Sequence, residues 1–328
     1  MIVTYLSSSS INTGEMCEQK FFIEYVLKLK SEAHYKAVQG TIAHKVLEIL
    51  ALESIAKNKN ESKFVDEDFG DFTVGKIDIE ELTKKCFHHL KHENTTRDWN
   101  DDDIVTCFNS VKKAITVNNG AFDPRNLRVL HAEKFFDITI DEDWAKYEYK
   151  IGDITLKGQL AIKGVIDLVV DNNGIIEIID WKTGSTRINW ASGEEKNETT
   201  LDKDTQLLLY YYVAKKLFPD AVGYASTIVF INAGGAYTVD WQNKHDDAPL
   251  RVLKENFEQL KSVYVPSLLW QKDPSRKWFC NKVCPWGQGK CKEIHQDIVQ
   301  IGMTNTLKKH GNLEKITSYV NSRQKESK

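Results

Sequence analysis

Two aspartates and a lysine interrupt the most apolar part of this sequence. In "GVIDLVVDNNGIIEIIDWKTG", residues 164–184, Asp167 and Asp180 stand where a strand would take another aliphatic, and Lys182 follows two residues later. Asn173-Gly174 is a favoured hairpin turn, since both residues tolerate the positive φ of a type I′ turn. Closing the hairpin there pairs 172 with 175 and brings Asp167 opposite Asp180, with Cβ atoms about 4.5–5.5 Å apart. Lys182 shares their face. A four-residue loop, 171–174, shifts the pairing by two and keeps all three together. Two carboxylates so close in an apolar sheet repel one another and resist dehydration. A divalent cation with hard oxygen ligands compensates them. Beside it an ammonium can orient or deprotonate water, or stabilise a phosphoryl-transfer transition state. A lone D-x-K is more often a solvated strand end, its ion pair worth about 0–1 kcal/mol. Here both acids lie in runs apolar enough for central strands.

Cys280, Cys284 and Cys291 fall within twelve residues and point to a second metal. With His295 they would make a local Cys₃His zinc site. Cys86 and Cys107, in partly apolar helical surroundings, read as packing residues. Gln206 and Tyr210 are four apart and share a helical face; alone, they read as polar groups of a buried helix. His44 points about 160° away from the stripe of Ile42, Val46, Ile49 and Leu50, which alone makes it an exposed histidine.

The elements that must position these residues follow in order. "SSSSINTGEMCEQKFFIEYVLKLK" offers serine caps and then helical spacing, and a second helix is expected from Gly40. Residues 57–128 read as a polar, mostly helical insertion, with an acidic knot at "RDWNDDD". Strand signals run from about 127 to Lys182. The apolar helix "TQLLLYYYVAKKLF" follows, then a strand in "ASTIVFIN", then helices leading into the cysteines. Residues 301–328 read as a basic helical or flexible tail. This order predicts an α/β (α+β) fold around one mixed sheet. The 328 residues are 41% hydrophobic and 28% charged, an ordinary soluble composition. No apolar stretch approaches the roughly 20 residues of a membrane span, and the amino end lacks the pattern of a secretory signal, so the expectation is a cytoplasmic protein. A formal charge of −3 neither advertises nor excludes a polyanionic partner, because a cation-binding site is itself acidic.

The segment "GVIDLVV...IIEIIDWKTG" resembles the core motif of the PD-(D/E)xK nuclease superfamily, in the branch of RecB-type nuclease domains and Cas4-like exonucleases: G-x-x-D, a turn, hydrophobics and D-x-K-T-G. The resemblance implies a restriction-endonuclease-like core over residues 1–300, with 57–128 as a helical arch. It implies a metal-dependent deoxyribonuclease acting on single-stranded DNA ends, in repair, recombination or CRISPR-adaptation-like processing, with partner proteins of such complexes. His44, Asp167, Asp180 and the backbone carbonyl of Trp181 would hold Mg²⁺ or Mn²⁺, and Lys182 would assist the attacking water. Gln206 and Tyr210 would position DNA and the lysine, and Glu133 matches an acidic position ahead of the two motif strands. Cys17 resembles an amino-terminal cysteine that joins Cys280, Cys284 and Cys291 around a [4Fe-4S] cluster. Two departures stand out: Glu18 replaces the usual proline, and the Cys280–Cys284 spacing is one residue longer than the commonest form. A non-cleaving DNA-binding scaffold and a structure-specific endonuclease remain open, as does zinc at the cysteines.

Overall fold

Why the chain folds where it does is clearest along its order. The computed structural model describes residues 1–94, 96–189, 192–287 and 289–326. β1 (Tyr5–Leu6) leads into α1 (Ser8–Met16), whose Ser7 cap accepts a bond from the Ser10 N–H and forms a reciprocal capping box. α2 (Glu18–Phe21) starts at Cys17 and continues as a π-turn through Val26. α3 (Tyr35–Asn58) begins five residues before the expected start at Gly40, because the His34 side chain caps it. Gly40 is instead a point of close approach: a Cβ there would lie 2.7 Å from Thr183 Oγ1.

The segment expected to be helical also contains a hairpin, β2 (Lys63–Asp66) and β3 (Gly70–Thr73), closed by stacked Phe64 and Phe72 rings 5.3 Å apart. Strands this short leave no legible period in the sequence. α4 (Ile79–Leu90) and α5 (Asp101–Thr116) follow. The acidic knot is the amino terminus of α5, where Asn100 caps the helix and three aspartates meet the positive end of its dipole.

β4 (Val129–Thr139) enters the sheet, while β5 (Lys146–Ile151) and β6 (Ile154–Gln159) pair only with each other. β7 (Ala161–Asn172) and β8 (Ile175–Lys182) form the motif hairpin; α6 (Thr205–Leu217), β9 (Gly223–Phe230) and β10 (Ala236–Asp240) complete the α/β part. The main sheet runs β1-β7-β8-β9-β10, with β4 also on β7. β7 is antiparallel to β4 and β8, whereas β8–β9 and β1–β7 are parallel. α7 (Ala248–Ser262), α8 (Leu269–Lys272), α9 (Lys277–Lys282) and α10 (Lys290–Ile301) follow, then α11 (Met303–His310) and α12 (Leu313–Glu326).

Helices cover both faces of the sheet. On one, Ile166, Val169 and Ile178 pack with Leu208, Phe257 and Ile294. On the other, Leu168, Ile179 and Trp181 pack with Val46, Cys86 and Val111 from α3, α4 and α5. Helices α11 and α12 are tied into the first core, where Leu307, Ile316 and Val320 are buried. Each such aliphatic contributes about 1.5–3 kcal/mol. Among the described residues, no helix is long and apolar enough to cross a membrane.

Hairpin register follows the turn chemistry: Asn173 and Gly174 have φ of 55° and 91°, and the ladder runs from Asn172↔Ile175 to Leu168↔Ile179. There it ends. Ile166 and Leu168, two residues apart on β7, pack into opposite cores, so the alternation of the strand slips at Asp167. The neighbouring strand slips in register with it. Ala132 packs against the second core and Phe136 in the first, and between them Glu133 has φ 44°, a sparsely populated conformation for a non-glycine residue.

Candidate functional site

The slip turns the carboxylates out of the ladder and toward α3. Asp167 does not sit flat opposite Asp180; its Oδ2 accepts the Trp181 N–H at 2.8 Å. The close approach at Gly40 brings α3 onto the end of β8, and His44, one turn further along the same helical face, reaches Asp167 Oδ2 with Nδ1 at 3.5 Å. Its ring also meets Trp181 edge-on at 6.3 Å. One ligand atom each from His44, Glu133 and Asp167 lies within 4.8 Å of the others. The sequence placed Asp180 in that group and gave Glu133 a lesser part; the structure puts Glu133 inside it and Asp180 alongside.

Asp180 is held from three directions. Gln206 Nε2 donates to its Oδ1 at 2.8 Å and to the Tyr210 hydroxyl oxygen at 2.8 Å, and that hydroxyl lies 3.3 Å from Oδ1 while donating to the Val165 carbonyl at 3.0 Å. Lys182 Nζ stands 2.7 Å from Oδ2. Asp204 caps α6 through the Gln206 and Leu207 N–H groups, fixing the helix that presents Gln206 and Tyr210. Trp181 itself lies between the two acids, its side chain buried in the second core.

These contacts set the charges. Burial, followed by the charges of Asp167 and Glu48, pushes Glu133 up to about 8. Burial and then Asp180 raise Asp167 to about 6, against the pull of His44 and Lys182. Burial works to lower Lys182, but Asp180 and Asp167 outweigh it, so the ammonium is held more firmly than usual. Burial, then both aspartates, drives Tyr210 well above its ordinary value, and it stays a neutral donor. Surplus acid beside a solvent-reaching cleft is the condition a cation relieves. The cleft, about 420 Å³, is lined by His44, Lys45, Glu48, Glu133 and Thr183. Glu48 and Lys45 were missed in the sequence, although Glu48 is four residues from His44 on one helical face and could have been found there. Lys45 bridges Glu48 at 3.1 Å and Asp66 at 2.9 Å, anchoring the β2–β3 hairpin to the rim.

The four cysteines singled out in the sequence line one cavity of about 200 Å³ with Lys20 and Trp286. Cys17 supplies one wall from the α1–α2 junction; Cys280, Cys284 and Cys291 supply the other from α9, the following turn and α10. Burial raises all four thiols, Cys291 to about 12. Gly287 makes this turn possible, since a Cβ on it would fall 1.5 Å from the Cys280 carbonyl oxygen. Glu18, the departure from proline, has a structural part: it accepts from the Ser267 N–H at 2.9 Å and pairs with Lys272 at 2.7 Å, lacing the amino-terminal wall to the carboxyl-terminal one. Among the described residues, no three sulfur atoms lie within 4.8 Å of one another. His295 does not line the cavity, and its Nδ1 faces Gln19 Oε1 at 3.2 Å. Cys86 and Cys107 are fully buried in the second core.

A mixed sheet flanked by helices, with a motif hairpin and an adjoining acidic cleft, is the architecture of the restriction-endonuclease-like fold. The chain belongs to the PD-(D/E)XK nuclease superfamily, whose family model matches residues 5–288. No curated protein matches the sequence. Among solved structures, one from Eubacterium rectale, provisionally named an exonuclease, shares 11% identity, covering 83% of this chain and 87% of its own at a TM-score of 0.39. A likeness that low carries no argument about activity.

Proposed function

We propose that the chain is a divalent-metal-dependent deoxyribonuclease of the RecB-type, Cas4-like branch, cutting single-stranded DNA from its ends. The observation that carries this is the joint slip of β4 and β7, which gathers His44, Glu133 and Asp167 within ligand range beside the Asp180–Lys182 pair. One imidazole and hard carboxylate oxygens suit Mg²⁺ or Mn²⁺. A cation bound there supplies Lewis acidity toward a phosphate oxygen and strengthens water as a nucleophile. His44, Glu133, Asp167 and Asp180 would hold it, with the Trp181 carbonyl as a further donor. Ligation by Glu133 would need its carboxylate form. Lys182, kept charged by Asp180, faces the charge that grows on the phosphate in the transition state. Gln206 and Tyr210 fix the Asp180 carboxylate and so fix the ammonium. DNA repair, recombination or adaptation complexes in the cytoplasm supply the ends and the partner proteins.

For the thiol cavity the reading is a [4Fe-4S] cluster held by Cys17, Cys280, Cys284 and Cys291, supported by the four cysteines lining one space. Zinc, with bonds of about 2.3 Å to sulfur, would hold its ligands about 3.8 Å apart. Among the described residues no three of the thiols come within 4.8 Å of one another, and His295 faces Gln19 instead. The protons that burial keeps on the thiols leave when they ligate. Anaerobic purification with iron, sulfide and zinc analysis separates the two: brown protein that bleaches in Cys17→Ala supports the cluster, and a colourless protein with one zinc refutes it.

Labelled linear and circular single strands, incubated with and without Mn²⁺, test the activity. Mn²⁺-dependent loss of linear strands alone supports the exonuclease. Cut circles indicate an endonuclease. Wild type and Lys182→Ala equally inert indicate a DNA-binding scaffold.

A further inference from the structure

Phe135 has no place in either core. It stands on β4 directly opposite Val165 on β7. The two residues remain 61% and 41% exposed, Phe135 on β4 at the edge of the sheet and Val165 on the strand beside it. Their chain neighbours Phe136 and Ile166 turn into the first core, so Phe135 and Val165 face the other way, on the side where α3 carries His44. Two positions toward one end of this antiparallel pair come Glu133 and Asp167, about 7 Å away at the rise of a strand. Two positions toward the other end come Asp137 and Lys163, directly opposed and joined at 3.0 Å. Exposed apolar side chains scattered singly need no explanation, but this pair is contiguous, is rimmed by polar rows and adjoins the acidic cleft.

We infer that Phe135, seated on Val165, is the platform on which a base of single-stranded DNA stacks while its phosphate lies at the His44, Glu133 and Asp167 group. The occupant follows from three features of the surface. It is continuous with the acids that hold the cation, so whatever enters them lies across it. It lies two strand residues, about 7 Å, from them, close enough for one nucleotide to set its base on one and its phosphate on the other. It offers a flat π face, which suits any base and gives no sequence preference. The ion pair beyond is neutral and does not repel a polyanion. Bases inside a duplex are already stacked and present no free face, so the platform selects unpaired strands.

This inference rests on the nuclease reading, and its test has arms that separate the two. One stacked base is worth roughly 5- to 150-fold in affinity. Phe135→Ala is expected to raise the substrate concentration at half-maximal single-turnover cleavage by about tenfold, with the maximal rate within about twofold of wild type. Phe135→Tyr restores wild-type behaviour. An abasic site at one fixed distance from the cut bond removes the difference between wild type and Phe135→Ala. A second arm needs no cleavage: oligonucleotides carrying 2-aminopurine, titrated in EDTA, show stacking through quenching that Phe135→Ala loses. The side chain is exposed, so melting curves of the variants should overlay the wild type. Wild-type kinetics and quenching in Phe135→Ala overturn the inference and leave the nuclease intact. Wild-type protein that quenches through Phe135 but never cleaves overturns the nuclease and leaves the platform.

Discussion

Replacing Asp167 with asparagine should stabilise the cation-free protein and abolish its response to divalent cations. The Asp167 carboxyl is raised from 3.8 to about 6, by burial first and then by the neighbouring Asp180 charge. Its side chain is only 12% exposed, so solvent screens little of this. The rise corresponds to about 3 kcal/mol of penalty on the ionised form. Asparagine removes the charge at nearly constant shape, and its oxygen can keep the Trp181 N–H bond of 2.8 Å. With an unfolding entropy of about 2.1 cal/mol/K per residue over 328 residues, that gain is about 4 °C in Tm. The folded value lies above the unfolded one, so the contribution of Asp167 is fully present below about pH 4 and lost as the pH rises through about 6. Asparagine should therefore match wild type near pH 4 and lead it by the full margin at pH 8. Thermal melts in EDTA at several pH values read this directly. Adding Mn²⁺ at 100 times Kd should then stabilise wild type by about 2.7 kcal/mol and the variant hardly at all. An asparagine variant that melts below wild type at pH 8 in EDTA, or gains equally from Mn²⁺, would show that acid crowding does not shape this site.

Three further outcomes are expected. Lys182→Ala strips the Asp180 carboxylate, 2% exposed, of its cation at 2.7 Å; single-turnover cleavage should slow by about 10²–10³-fold with substrate affinity within threefold, and an equal fall in both would assign Lys182 to binding. Gly287→Ala places a methyl group 1.5 Å from the Cys280 carbonyl oxygen; iron and sulfide per chain should fall below about a tenth of wild type, and full occupancy would mean the turn can rearrange freely. Leu307→Ala opens a cavity in the first core, where Leu307 is fully buried; Tm should drop by roughly 3–7 °C, from a loss of about 2–5 kcal/mol, and no change would mean that the segment beyond 301 docks only loosely.

The readable parts of the sequence are those where chemistry is local. Asn173-Gly174 fixes its own turn, and the turn fixes the register of the hairpin down to Leu168↔Ile179 without help from anything distant. The spacing of Gln206 and Tyr210 likewise settles that both share a face of α6, and the structure sets that face on Asp180. Less readable were elements too short to show a period, such as the β2–β3 hairpin, and the helices after 301, whose few apolar residues reveal burial only once the core that receives them is known.

The acidic site lies between these cases. A period-two pattern carries two side chains to the same face, and it cannot signal from within that the face has changed between them. On β7 that change comes at Asp167 and on β4 at Glu133, with φ 44° as its local cost. A regular ladder would have set Asp167 flat beside Asp180 and left Glu133 as an unrelated acid on a neighbouring strand. Instead both strands slip at adjoining positions, which frees Asp167 to take the Trp181 N–H and meet His44 across the cleft. An irregularity shared by two strands implies that the backbone, more than either side chain, builds the proposed cation site. For that reason a substitution restoring regular alternation at Glu133 would disturb the geometry of Asp167 even where the carboxylates themselves were kept.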